Sequence, residues 1–433
     1  MLLNPSVVIN LSLKASRTTI IVPFSSPLPL ELHAEIAPHV PHIDLKSYSL
    51  ASRALNSEVN RVLWRSVAVI PRNTFTERIQ AFANALMRDP RRAANIRNIK
   101  FVPCVLQLDP SIWKSILPDY PSEQFWSSLK EALRLLIRVE RVQLFYRSQS
   151  VPDGSIGRLI SIVGIVFQSC VARLDTNLGG AALHRLCGPG AWPALTTLST
   201  GAYNSRSLIP FPPSALPQLL HVKSDRDSLI HIVPGRPIKT VYHDEPFYMS
   251  DGDLNALKRL QAVLQVCKTL RKARLCCAPS IDVTDFLTGF SHNNIRELYL
   301  FVGFKDSAYG DGHLLASLVM LALPPGFLQG FPKLESLQIL MFHPDFHSLC
   351  RANSYSKDMK TVVEVLSTFL RLEHHSTLKG IDVDLLGSAG GSADQSNQNR
   401  GDLHVIATRR GNLWDVDVVN RDGSVMPRFN DML

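Results

Sequence analysis

The strongest constraint in this sequence is a six-residue figure that keeps returning: apolar, two open places, apolar, one open place, then a variable sixth. It is clearest in Ile295-Arg296-Glu297-Leu298-Tyr299-Leu300, Leu334-Glu335-Ser336-Leu337-Gln338-Ile339 and Leu378-Lys379-Gly380-Ile381-Asp382-Val383. Further copies stand at residues 96–101, 139–144, 171–176, 195–200 and 219–224, with looser ones at 238–243 and 270–275. Inward and outward places alternating along each copy are the pattern of a strand with one buried face. The copies recur every ~20 to 45 residues, the range of repeat architectures. That spacing also supplies the dozen or more residues that a crossover between parallel strands requires.

Several connections read as helices. Phe125, Leu129, Leu133 and Leu136 fall at helical spacing within 122–138, as do Leu257, Leu260 and Leu264 within 253–267, and Val362, Val365, Leu366 and Leu370 within 357–372. Phe75, Ile79, Phe82 and Leu86 give an earlier helix, with Thr74 as its cap and Asp89-Pro90 as its end. Trp192-Pro193 and Phe331-Pro332 precede two strands, and a residue before proline is expected to leave the helical region. The repeated figure resembles a degenerate leucine-rich repeat, without the consensus asparagine ladder. That resemblance implies an α/β fold for residues 74–433: an irregular solenoid of parallel strands with helical crossovers. The other reading is an ordinary α/β domain whose strands share a pattern by chance, and ten copies weigh against it. The small polar stretch 387–401 is expected to be a flexible surface loop. Strands at 403–406 and 413–419 would then cover the last open edge.

Composition narrows the class further. A chain of 433 residues is too long for one ordinary core. Hydrophobic residues at 45% and charged residues at 19% describe a folded chain rather than a disordered one. The net charge of +9 is spread along the sequence, and no aromatic residues interleave with the basic stretches 88–100 and 268–274. A nucleic-acid or membrane partner is therefore not expected. No run reaches the ~18 to 20 apolar residues of a membrane span. Seven irregularly placed cysteines point to reduced thiols in the cytoplasm or nucleus. Residues 1–27 are expected to be a poorly ordered extension.

Residues 28–68 have a different texture. Pro29 suits the first turn of a helix carrying Leu32, Ile36 and Val40, which Pro41 should stop. Asp44 can cap a second helix with Leu45, Tyr48 and Leu50, and Asn56 a third with Val59, Val62 and Leu63, ending at Trp64. Three such helices are marginal alone and lean on a partner or a neighbouring domain. The order Leu28-Pro29, Glu31-Leu32, Ile36, Asp44-Leu45, Ser52-Arg53, Leu63-Trp64 resembles an F-box, with His33 and Ala54-Leu55 differing from the family's usual residues. The resemblance implies docking on the Skp-type adaptor of a cullin–RING ubiquitin ligase through Leu28, Pro29, Leu32, Ile36 and Leu45. The chain would then be a substrate receptor whose repeats bind an unidentified protein. The alternative is a non-catalytic interaction scaffold outside ubiquitin ligases, its helices serving only as a cap.

No catalytic residue, metal ligand or cofactor loop is expected. Gly154 and Gly157 lack the third glycine of a phosphate-cradling loop. His343 and His347 are separated by Pro344 and lack a neighbouring glutamate. His374-His375 can satisfy the carbonyls at a helix end, Asp382 and Asp384 sit on one strand face as solvated groups, and Cys276-Cys277 read as buried thiols. Arg97, Lys100, Arg141 and Arg173 would form a basic strip if their strands align.

Overall fold

The structure, a computed structural model, describes residues 8–13, 16–21, 32, 35–41, 44–50, 53–69, 75–101, 122–145, 153–167, 170–178, 180–188, 192–200, 211–212, 214–243, 254–277, 287, 289–303, 326–343, 375–387, 403–410 and 413–420. It is an α/β fold. Strands β1 (Val8–Leu13) and β2 (Ser16–Ile21) make an antiparallel hairpin within the segment expected as an extension. The Thr18-Thr19-Ile20-Ile21 run in β2 is β-branched throughout, which suits a strand. The larger sheet has thirteen strands in chain order: β3 (Ser66–Val69), β4 (Asn98–Phe101), β5 (Arg141–Leu144), β6 (Arg173–Thr176), β7 (Thr197–Thr200), β8 (His221–Ser224), β9 (Thr240–His243), β10 (Lys272–Cys277), β11 (Glu297–Gly303), β12 (Ser336–His343), β13 (Gly380–Gly387), β14 (Leu403–Arg410) and β15 (Leu413–Asn420).

Each of the ten six-residue figures is a strand, and in each the strand begins at the third residue. The first, fourth and sixth residues are buried in all ten. The first residue of the figure, from Ile96 to Leu378, sits under the sheet just before its strand. The fourth and sixth share the inward face because side chains alternate along a strand. A further strand, β3, pairs in parallel with β4. The Val67-Ala68-Val69 run is its only signal, and it shows that the sheet begins inside the segment read as the helical module.

The chain divides into two units, 1–175 and 176–433. In the first, β3, β4 and β5 pair in parallel. Helix Phe75–Arg88 packs on helix Glu123–Arg134, which packs on helix Asp153–Phe167. Ile79, Phe82 and Leu86 of the first and Phe125, Leu129 and Leu133 of the second are buried, as their spacing requires. The Ser122 hydroxyl accepts the Phe125 N–H at 3.2 Å and starts the second helix. In the second unit, β7 to β13 pair in parallel and β13, β14 and β15 antiparallel, so the expected terminal strands form a closing hairpin. Helix Leu254–Gln265 buries Leu257, Leu260 and Leu264. The helix expected at 357–372 and most of the loop 387–401 lie outside the described residues.

The strands are held in register by one recurring arrangement. The carbonyl of the second residue in a figure accepts two N–H groups from the next figure. Lys239 accepts from Arg271 at 2.9 Å and Lys272 at 3.0 Å, and Arg271 accepts from Arg296 at 2.7 Å and Glu297 at 3.1 Å. The same pairing recurs at Arg97, Glu140, Thr196, Leu220 and Arg296. The inward column is apolar except in β6 to β9, where Thr176, Thr200, Ser224 and His243 hold the sixth place. The Thr200 and Ser224 hydroxyls bond each other, and His243 Nδ1 accepts the Cys276 N–H at 3.2 Å.

The turn three residues ahead of each figure is also specified. Trp192, Leu216 and Gly235 hold that place in successive repeats, all with positive φ (56°, 57° and 73°). Trp192 leaves the right-handed helical region before Pro193, as expected, and does so into the left-handed one. That backbone costs ~1–3 kcal/mol for a side-chain-bearing residue. Full burial of the indole, with Nε1 donating to the Leu186 carbonyl at 2.6 Å, offsets it. Phe331, with φ −131° and ψ 64°, also lies outside the helical region.

Histidines fill the same turn place twice. His292 Nε2 donates to the Cys267 carbonyl at 3.1 Å while its Nδ1 accepts the Asn294 N–H at 3.1 Å. His375 Nε2 donates to the Phe331 carbonyl at 2.8 Å and its Nδ1 accepts from Leu378 at 3.2 Å. His375 thus ties its turn to the previous one rather than to a helix end. Each ring needs the neutral Nε2–H tautomer, because a backbone N–H can only donate and a carbonyl can only accept. Burial, with Arg271 adding to it, holds the His292 pKa below its ordinary value, against the pull of its backbone bonds. The unfolded chain therefore takes up a proton that the folded chain resists, so stability falls as pH drops below ~6.5. We predict that the difference in urea midpoint between wild type and His292→Gln, which keeps a donor and an acceptor without titrating, narrows from pH 7.5 to 5.5. A pH-independent difference would refute it.

Candidate functional site

The N-terminal helical segment forms a small closed cluster. Helix Leu45–Leu50 packs on helix Arg53–Leu63, and Ala37, Val40, Leu45, Leu55 and Val59 are buried together, with Ile36, Val62 and Leu63 packed against them. A 3-10 turn at Ala37–His39 ends at Val40, where Pro41 was expected to stop the chain's first helix. Arg53 begins the last helix three residues before the expected cap. Asn56 lies inside that helix, accepting from Asn60 Nδ2 at 2.8 Å. Of the five residues the F-box resemblance singles out, Leu28 and Pro29 lie outside the described residues. Leu32 is 41% exposed, Ile36 is half-buried, and Leu45 is only 2% exposed. Leu45 is therefore a core residue of its own segment, and among the segment's described residues the large apolar side chains left exposed are Leu32 and, at 80%, Leu50.

The second candidate surface is the outward face of the sheet, formed by the third and fifth residues of each figure. A parallel sheet is normally covered on both faces. Here that face carries polar and aromatic side chains that are partly or fully exposed, apart from Asp175 and Thr240, which are buried. In the first unit Arg141 and Arg173 do align, with Lys100 one row on, but Asp175 lies among them. Its carboxylate meets Arg141 Nε at 2.5 Å and Arg173 Nε at 3.1 Å, and Gln143 Nε2 at 3.3 Å. Arg97 pairs with Glu140 at 3.6 Å, and Lys100 lies 5.4 Å above the Phe145 ring. Arg141 and Arg173 thus share one row, and two carboxylates, Asp175 and Glu140, offset half of the four charges.

In the second unit the register assembles what the sequence scatters. One row reads Ser199, Lys223, Tyr242, Arg274, Tyr299, Gln338, Asp382. The row beside it reads Thr197, His221, Thr240, Lys272, Glu297, Ser336, Gly380. Lys272 Nζ donates to Glu297 at 2.5 Å and to the Tyr299 hydroxyl at 3.3 Å, and sits 4.7 Å from the Tyr299 ring centre. Partial burial opposes its charge, but the bonds to Glu297 and Tyr299 and the field of Tyr242 win and raise its pKa. His221 is held below its ordinary value by burial and by Lys239, so it is neutral near pH 7. Asp382 accepts from Gln338 Nε2 at 2.8 Å, a cross-strand polar contact rather than half of an acid–base pair.

The remaining candidates take structural places. Cys187 is fully buried, and burial pushes its thiol up to about 12 despite Arg236 beside it. The Arg236 guanidinium in turn donates to the carbonyls of Pro212, Ala215 and Ile232. Cys276 is buried and Cys277 follows it at the end of β10. Among the described residues no group of three or more potential ligands could hold a metal ion, and no helix is long and apolar enough to cross a membrane. The side chains of His343, His347 and His374 lie outside the described residues. No protein-family model and no curated protein matches the chain.

The outward face should carry little of the fold's stability. Leu298→Ala is predicted to lose ~2–5 kcal/mol of unfolding free energy. Its neighbour Glu297→Gln, which breaks a partly exposed ion pair, is predicted to lose under ~1 kcal/mol. Chemical denaturation of both variants checks the contrast, and equal losses would show that the face is structural.

Proposed function

We propose that the chain is a substrate-receptor subunit of a cullin–RING ubiquitin ligase, acting in the cytoplasm or nucleus. Residues 28–68 serve as an F-box-like module that docks a Skp-type adaptor, and the leucine-rich-repeat-like domain that follows binds a target protein. The observation that carries this reading is Leu32. It closes the Leu28-Pro29-Leu30-Glu31-Leu32 stretch that matches the motif, and it is exposed while Leu45, Leu55 and Val59 are buried in the cluster that follows it in sequence. A lone exposed leucine is ordinary on a protein surface, and it is the motif it closes that makes this one a docking candidate.

In this reading the receptor performs no bond chemistry. The adaptor fixes one end of the assembly, the sheet face holds the target, and a ubiquitin-loaded partner supplies the reaction. The receptor's contribution is proximity, because tethering an acceptor lysine raises its effective concentration.

Leu45 favours a second reading, since a buried Leu45 fits helices that merely cap the sheet of a non-catalytic scaffold. Purified chain mixed with a Skp-type adaptor separates the two. The receptor reading expects co-elution at about micromolar concentration, abolished by Leu32→Glu with an unchanged melting midpoint. Leu45→Ala should instead lower stability by ~2–5 kcal/mol. Wild-type chain that never co-elutes with the adaptor supports the scaffold.

A further inference from the structure

The row Lys223, Tyr242, Arg274, Tyr299 crosses four neighbouring strands, β8 to β11, and alternates cation with phenol. No stretch of the linear sequence shows this pattern. Lys223 and Arg274 are exposed and the two tyrosines half-buried. Arg274 makes no ion pair or side-chain hydrogen bond among the described residues. Lys272 lies one row away, and exposed Lys239 stands at the entry to β9. Among the described residues of these four strands one carboxylate faces outward, Glu297, and Lys272 already bonds it, while Lys223 has contacts of its own and Arg274 is the cation left open.

We infer that this patch docks a short acidic segment of a protein partner. The inference deepens the receptor reading and rests on it for the partner's fate, not for the binding itself. The charge is complementary only to an anion, and two exposed cations flanking a phenol offer donors to carboxylates or phosphate esters. Tyrosine and arginine are also the side chains that concentrate at protein interfaces.

Size decides what kind of anion fits. From β8 to β10 the cationic stretch covers two strand spacings, or ~10 Å. An extended peptide puts same-face side chains ~7 Å apart, so two acidic groups fill it. A nucleic-acid strand needs a longer cationic track, and here the row turns to Gln338 and then Asp382. Lys272 also lies over the Tyr299 ring, on a face that a base would have to use.

The test is fluorescence anisotropy of the full chain at low salt with labelled decaglutamate, a matched peptide carrying phosphoserines, and decathymidylate. Wild type is expected to bind decaglutamate with a Kd in roughly the micromolar range, weakening as salt rises. Lys223→Glu with Arg274→Glu should weaken it by at least about tenfold. The same charge change at exposed Lys258 and Arg259, on helix Leu254–Gln265, should weaken it by less than about twofold. Should the double reversal fail to fold, Arg274→Gln alone is expected to weaken binding about threefold. Tighter binding of the phosphoserine peptide, lost in the same variant, supports the inference and identifies the anion as a phosphate ester. No binding by wild type, or equal loss in both charge-reversal variants, overturns it. Tighter binding of decathymidylate that the Lys223 and Arg274 changes abolish overturns it in favour of nucleic acid. A chain that binds the adaptor but neither peptide refutes this inference alone, whereas one that binds a peptide but not the adaptor refutes the receptor reading alone.

Discussion

Everything in the sheet depends on the backbone carbonyl that closes the second place of each six-residue figure. In seven of the ten figures it accepts two N–H groups from the next repeat, and so fixes where the following strand begins. A parallel strand can slip by a residue only by turning its inward side chains outward. The paired bonds at Lys239, Arg271 and Arg296 resist that slip before any side chain packs. Once the start is fixed, the first, fourth and sixth residues have one place to go. Burying each leucine or isoleucine there contributes ~1.5–3 kcal/mol. The outward residues are released from packing, and that freedom is what allows Lys223, Tyr242, Arg274 and Tyr299 to line up.

Much of this was legible in the residues. Apolar spacing alone located ten strands, their inward faces and two of the helices between them. The physical reason is that burial imposes a period, and a period survives divergence. The turn place three residues upstream was not legible. Trp192, Leu216, Gly235 and the two histidines, His292 and His375, share no single side-chain chemistry, only a position in the repeat. Nothing in Asn56 revealed that its helix already runs at Arg53, because a capping side chain is equally at home one turn in. Strand β3 was hidden for a related reason: four residues after a helix are too few to show alternation.

The candidate site divides the same way. Leu32, Ile36 and Leu45 were readable as an apolar series, but their differing exposure depends on how the short helices close on one another. A helical period marks which residues face a neighbour and does not say whether that neighbour is in the same chain. The cation–phenol row lay beyond sequence reasoning altogether. Its members come from four separate strands, and only the register joins them. The aligned arginines at Arg141 and Arg173 carry the opposite lesson: the strip was conditional on strand alignment, which the fold supplies, while the Asp175 carboxylate that both of them meet sits on the very strand that Arg173 begins.

The hydroxyls and imidazole in the inward column of β7 to β9 make these repeats individual. Were every inward place leucine, one repeat could be removed or exchanged and its neighbours would close over the gap. Thr200 and Ser224 are complementary only to each other, and His243 presents its ring nitrogen to the backbone of β10. A shuffled order would strand a hydroxyl in a dry interior, at a cost of ~1–3 kcal/mol for each group left without a partner. This stretch of the chain is thus locked as a numbered series, and a lineage that lengthens or trims the protein is expected to do so elsewhere.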